Sequence, residues 1–313
     1  KIPSLDYLSL SENLLESLNF TSPTITTLDI AKNRLTSLTN DYFSQVANVD
    51  DLVLDENQIK NIESMAFRGL RRLNKLKLNE NQISTLPPDV FKSIPSLNEL
   101  HLVNNHIKVL KEDWFSNLYN LEKLFLSYNR IAIIPQTIFH NLRNLKTLGL
   151  NNNNLTNLHK DVFKNLNNLY ALLLFGNNLE TLPSGIFSAL TQLLNLQLSN
   201  NKISELPDGI FSKLKNLYNL DLSYNTIITL PKDFAVGLES LTVLKLTENK
   251  LMKIAPGAFN RLSILRHVSL PSIQNDNLER IQELPNLKTV AVSGVTLERL
   301  SVGNISFTKD FAN

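Results

Sequence analysis

The stretch LKLNENQI at residues 76–83 decides how the rest of the chain is read. Leu76 and Leu78 alternate with Lys77, a period-2 pattern over a short span, which predicts a strand with the leucines inward and the lysine toward solvent. Asn81 closes the pattern and has counterparts at Asn13, Asn33, Asn57, Asn105, Asn129, Asn153, Asn177, Asn201, Asn225 and Asn249. From Asn33 onward every step has one length, that from Asn57 to Asn81. A fixed period of this length means stacked supersecondary units rather than one globular core. Each unit packs on its neighbours, so 313 residues need not divide into two cores.

The full unit reads L-x-x-L-x-L-x-x-N-x-L-x-x-L-P-x-x-x-F-x-x-L-x-x, followed closely over residues 193–214. Leu196 and Leu198 point inward and Gln197 outward, and successive strands lie parallel about 4.8 Å apart. Beyond the asparagine the chain turns back, with Leu206 and Pro207 opening a return path that is irregular or short helical. A second ladder marks that return: Phe43, Phe67, Phe91, Phe115, Phe139, Phe163, Phe187, Phe211 and Phe259 are expected to stack as an aromatic spine. The tenth unit has Ala235 in the ladder position and Phe234 one place early, which predicts a local rearrangement. The asparagines recur because one amide offers both donors and an acceptor to backbone groups exposed where each strand turns. About seven apolar side chains per unit supply the core, each contributing roughly 1.5–3 kcal/mol on burial.

The reading is one repeat domain over 1–313: an atypical first unit at 1–24, regular units over 25–262 and degenerate terminal units over 263–313. The step from Asn13 to Asn33 is shorter than all those that follow it. Near the other end Ile273 and Val295 take what look like asparagine positions, again a short step apart, and 287–307 reads as one unit or two compressed ones. Terminal units of such arrays drift because one face lacks a neighbour.

A net charge of +2, from 31 basic and 29 acidic residues, gives no field that would draw nucleic acid or an anionic membrane. The longest apolar runs, such as ALLLF at 171–175, fall far short of the roughly 18 residues that span a bilayer. With no charged and apolar signal pattern at its start, the chain is read as soluble, processed or cut, with no membrane insertion by this segment. Cysteine is absent, which removes disulfides, thiolate metal sites and cysteine nucleophiles.

Stretches such as LNKLKLNENQISTLP at 73–87 and LYNLDLSYNTIITLP at 217–231 resemble the "typical" class of leucine-rich repeat, whose units of about 24 residues carry both ladders. The resemblance covers residues 5 to 262 strongly and the remainder weakly. It implies an α/β repeat fold, a horseshoe solenoid with a parallel sheet lining the concave face. It also implies an extracellular setting, like that of Toll-like receptor ectodomains and secreted or surface proteins of invertebrates, and the work of protein recognition. Such relatives usually close their ends with cysteine-bonded caps, which this chain lacks. Sequons at Asn19, Asn154 and Asn304 are the glycosylation candidates.

Strand residues flanking the inward leucines face solvent, so each column reads as a strip across the units. The central column runs Ser9, Asp29, Val53, Lys77, His101, Phe125, Gly149, Leu173, Gln197, Asp221, Lys245 and Ser269. Its apolar exception is Phe125, Gly149 and Leu173, with Phe175 in the next column and Tyr128 and Tyr170 near the strand ends. Large apolar groups on a solvated face mark an interface, and Gly149 is expected to leave a shallow gap between bulky walls. Lateral packing across strands is the competing account. A second strip, Asp51, Lys75, Glu99 and Lys123, alternates in sign and can satisfy itself. Asp29, Asp50, Asp55, Glu56 and Glu80 make the early units acidic without metal-loop spacing, and no metal or cofactor is expected.

No catalytic residues are assigned. The five histidines fall at unrelated phases of the repeat, and His101 beside Glu99 is the nearest approach to a catalytic pair. Nine glycines form no phosphate loop. The reading is a non-enzymatic scaffold that binds a protein ligand on its concave face, in an immune, developmental or adhesive role, secreted or as the ectodomain of an anchored protein. Two alternatives stay open: homophilic or matrix-organising assembly, with a second copy as partner, and a pathogen-secreted protein that engages host proteins.

Overall fold

The computed structural model describes residues 5–272, 281, 284–292 and 306–308. The chain forms two compact units, Lys1–Asn154 and Leu155–Asn313. In the first, strands β1 (Tyr7–Ser9), β2 (Thr27–Asp29), β4 (Asp51–Val53), β6 (Lys75–Lys77), β7 (Glu99–His101), β8 (Lys123–Phe125) and β9 (Thr147–Gly149) make a parallel sheet in chain order. In the second, β10 (Ala171–Leu173), β11 (Asn195–Gln197), β12 (Asn219–Asp221), β14 (Val243–Lys245), β16 (His267–Leu270), β17 (Thr289–Val292) and β18 (Ser306–Thr308) do the same. Two short pairs lie on the return path, β3 (Ser37–Leu38) with β5 (Asn61–Ile62) and β13 (Thr229–Leu230) with β15 (Lys253–Ile254). This is a leucine-rich repeat solenoid in each unit.

Register follows the period. Leu52 pairs with Leu76, Leu76 with Leu100 and Leu196 with Leu220, each one full period further on. The first step, Leu8 to Leu28, is shorter, as are the last two, Val268 to Val290 and Val290 to Phe307, the final one being the shortest. Strand β17 pairs directly with β18, while Ile273 and Val295, and most of 287–307, lie outside the described residues. Inward leucines such as Leu76, Leu78, Leu196 and Leu198 have no exposed surface.

Every ladder asparagine from Asn33 to Asn249 ties its own turn to the one before it. Asn129 Nδ2 donates to Leu102 O at 2.8 Å and to Leu126 O at 3.1 Å, while its Oδ1 accepts the Ile107 N–H at 3.0 Å. The residue just before each ladder asparagine from Asn33 to Asn249 stands in the left-handed region, among them Glu56, Glu80, Asn104, Tyr128, Gly176, Asn200 and Tyr224, with φ between 52° and 68°. That turn aims the asparagine side chain inward.

Of the two forms expected for the return path, the irregular one is found: no helix occurs within residues 5–272. It is built of turns closed three residues back, as from Leu118 N to Phe115 O and Leu121 N to Leu118 O, both 3.1 Å. The phenylalanines stack. Phe43, Phe67, Phe91 and Phe115 stand 6.0, 6.2 and 6.4 Å apart, near parallel, and Phe187 and Phe211 6.3 Å apart. Phe234 takes the place vacated by Ala235 but turns edge-on, at 87° to Phe211 and 74° to Phe259. A second, discontinuous amide row lies on this side: Asn120 donates to Pro95 O, Asn144 to Tyr119 O and Asn216 to Thr191 O, at 3.0, 2.9 and 2.9 Å.

Candidate recognition surface

Strand alternation sets the surface, because residues at the first and third strand positions flank a buried leucine and face outward. In the first unit Lys77, His101 and Phe125 stand on neighbouring strands in direct register. The His101 and Phe125 rings are 4.7 Å apart and tilted by 35°. Phe125 leans the other way over Gly149: a Cβ built there would meet Phe125 Cδ1 and Ser127 Oγ, each at 3.0 Å. The expected gap at Gly149 is therefore absent. Gly149 is buried because the phenylalanine has laid its edge across it, and Phe125 ends half-buried. Tyr128 is 56 % exposed and stands at φ 54°.

Tyr170, Leu173 and Phe175 belong to the second unit. Leu173 and Phe175 are half-buried and Tyr170 is exposed. Among the exposed residues of this unit that went unmarked in the sequence are Leu194 and Tyr218, in phase with Tyr170, and Tyr224, in phase with Tyr128. Their signal was available, since each recurs a whole number of periods from a residue already singled out.

The charged strip closes around Glu99. Lys123 Nζ lies 2.5 Å from Glu99 Oε1, and Lys75 Nζ and His101 Nε2 lie 3.4 and 3.3 Å from Oε2. Asp51, the fourth member, is paired in register with Lys75 but makes no ion pair with it, and its Oδ1 is buried without a hydrogen-bond partner. Burial pushes the Glu99 pKa up, but the hydrogen bonds from Lys123 and His101 and the charges of Lys75 and Lys123 outweigh it and hold it at about 2. His101 is shifted down, first by burial, against the pull of Glu99. An ionised Glu99 only accepts, so His101 carries its proton on Nε2.

Both Glu99 oxygens are thus engaged, and the cluster is an electrostatic network rather than a poised base. Its pH dependence has a definite sign. A carboxyl whose folded pKa lies below its unfolded value of about 4.3 stabilises the fold above that value, and the contribution is lost as pH falls through about 2. Between pH 5 and pH 2.5, urea midpoints should fall further for the wild type than for Glu99→Gln. Parallel declines would remove Glu99 from the account.

Elsewhere in the acidic early units, Asp55 Oδ1 accepts the Asn79 N–H at 2.7 Å and Arg72 pairs with Asp50 at 3.3 Å. Among the described residues no group of three His, Asp or Glu could hold a metal ion, and no helix is long and apolar enough to cross a membrane. Asn19 and Asn154 are exposed; Asn304 lies outside the described residues.

A leucine-rich repeat model matches residues 23–83, 47–107, 95–155, 120–179, 143–203, 167–227, 191–251 and 215–276, and the chain belongs to that family. Among solved structures it is similar to a leucine-rich repeat protein of Leptospira interrogans, 25 % identical over 97 % of this chain and 83 % of that one, with a TM-score of 0.82. It is likewise similar to a chain of the octameric complex of Latrophilin 3, Unc5D and FLRT2, whose FLRT2 part is the leucine-rich repeat. That match is 24 % identical over 96 % and 94 %, with a TM-score of 0.81. TLR13 in complex with ssRNA13 is 31 % identical over 90 % of this chain at a TM-score of 0.81, but the match spans only 42 % of that chain. No curated protein sequence matches it significantly.

Proposed function

We propose that this chain is a non-enzymatic recognition module that binds a protein ligand on its strand faces, working outside the cell as a secreted protein or as part of an anchored one. One observation carries the reading: Phe125 and Leu173, half-buried, occupy a repeat phase that is polar at Lys77, Gln197 and Lys245, and Tyr128 in the first unit and Tyr170 and Phe175 in the second extend each apolar spot. Partly exposed apolar and aromatic side chains among polar neighbours are what interface anchors require. The complex of FLRT2 with Latrophilin 3 and Unc5D shows a leucine-rich repeat in that kind of work. TLR13 is solved with single-stranded RNA. A net charge of +2, with Lys75 and Lys123 both drawn onto Glu99, favours protein over nucleic acid here.

A second reading, a secreted protein of a pathogen that engages host proteins, draws support from the absence of cysteine and the likeness to the Leptospira interrogans protein. Paired baits test the site under either reading. The wild type and a Phe125→Asp, Phe175→Asp variant with unchanged melting temperature are offered to extracellular fluid and cell-surface protein. A ligand held by the wild type and lost by the variant is expected, since each hot-spot anchor is worth about 2 kcal/mol or more. Retention of the same ligand by both baits would move the site off the strand faces.

A further inference from the structure

Unit Leu155–Asn313 carries an exposed ridge one residue ahead of β10, β11 and β12. Tyr170, Leu194 and Tyr218 are 43, 45 and 56 % exposed. Leu194 N–H donates to Tyr170 O at 2.9 Å and Tyr218 N–H to Leu194 O at 2.8 Å, so the three stand on adjacent turns in register. Behind them lies a row of amides. Asn219 Nδ2 and Gln197 Nε2 both donate to Asn195 Oδ1, at 3.1 and 2.6 Å, and Asn219 Oδ1 is buried with no hydrogen-bond partner. An open depression lies at the Leu194 and Tyr218 end of this ridge, bordered by Leu194, Asn195, Asn216, Tyr218, Asn219 and Ser240, all of them uncharged residue types. At the same phase in the first unit the chain places Glu122 and Lys146, an ion pair at 2.7 Å.

We propose that this ridge binds a linear neutral oligosaccharide. Tyrosine rings offer flat apolar faces to the C–H faces of sugar rings and a hydroxyl at the rim. Side-chain amides both donate and accept, as sugar hydroxyls do. The lining carries no charge to pair with phosphate, sulfate or carboxylate on a ligand. Geometry adds a repeat: Tyr170 and Tyr218 are separated by two strand spacings, about 9.6 Å, on the order of the length of a disaccharide. Successive sugars of one chain can thus meet successive turns of the solenoid. Tyr170 is shared with the protein-binding reading, whereas Leu194 and Tyr218 are not, so substitution at Tyr218 tests the ridge separately.

Titration of the whole chain at millimolar concentrations of cellohexaose, chitohexaose or maltohexaose, with a heparin hexasaccharide as charged comparator, tests it. At least one neutral hexasaccharide should bind, more tightly than the heparin fragment. Tyr218→Ala should weaken that binding at least tenfold at unchanged melting temperature, Tyr218→Phe should restore most of it, and Tyr119→Ala, an exposed tyrosine of the other unit, should leave it alone. Binding of none of the three neutral sugars overturns the proposal, as does tighter binding of heparin or indifference to Tyr218→Ala. Loss of a protein ligand on Tyr218→Ala, with no sugar bound, would assign the ridge to that protein instead.

Discussion

Asn129→Ala is expected to lower stability by about 3–5 kcal/mol, far more than an asparagine on a protein surface would. The side chain is almost fully buried, and its loss strips partners from two different turns. Ile107 N–H, at a residue with no exposed surface, loses its acceptor at 3.0 Å, and Leu102 O loses its donor at 2.8 Å. Each buried group left unsatisfied costs about 1–3 kcal/mol, and the methyl that replaces the amide reaches neither. Asn120→Ala is the comparison. Its amide donates to Pro95 O at 3.0 Å in an exposed setting where water can substitute, so about 1 kcal/mol or less is expected. Urea unfolding followed by circular dichroism reads both, and a similar small loss for the two would mean the ladder amide is not structural.

Gly237→Ala should be as damaging, by about 3 kcal/mol or more, for a different reason. At φ 88° a side chain is already strained, and a Cβ there would lie 2.3 Å from Phe211 O and 2.6 Å from the Cα and carbonyl carbon of Ser212. These are backbone atoms of the preceding turn, which cannot swing aside as a flexible side chain would. The close approach falls in the turn where Phe234 enters the spine edge-on, so the tight backbone contact belongs with the shifted phenylalanine. Gly185→Ala separates strain from clash. It has φ 73° but nothing within 4 Å of a new Cβ, and should cost only about 1–2 kcal/mol. Equal losses at the two glycines would show that conformation alone decides the effect.

Strand positions, inward leucines and the asparagine and phenylalanine ladders were legible because each is repeated many times, so that a single period resolves them together. What the repeat did not encode is how one side chain leans on the next. Phe125 covering Gly149 is a choice of rotamer, settled by the missing Cβ on the neighbouring strand and the His101 ring on the other side. Asp51 shares the register of Lys75, yet alternation of sign does not bring the charges together, because Glu99 draws Lys75 toward the opposite neighbour. Leu194 and Tyr218 were passed over, although Tyr170 of the same phase was not, because attention to period-2 alternation stops at the strand ends. The left-handed residue before each ladder asparagine takes Lys, Glu, Asn, Tyr and Gly in different turns, which hides a fixed conformation behind varied side chains.

The ladder amides from Asn33 to Asn249 all reach backward. Asn57 serves Ile30 and Leu35, Asn129 serves Leu102 and Ile107, and Asn249 serves Leu222 and Ile227, so each turn they serve is finished by its successor. The stack has a direction that its near-identical repeats conceal. Deleting turns from the front leaves an asparagine amide without the carbonyl and the N–H it served in the turn before, but it keeps its own-turn carbonyl and its freed side-chain atoms can turn to water. Deleting them from the back leaves a carbonyl and an N–H of the last turn, both fixed in the main chain, with no protein partner. Shortened versions cut from the two ends are therefore unequal, and those losing C-terminal turns require a substitute for the missing asparagine.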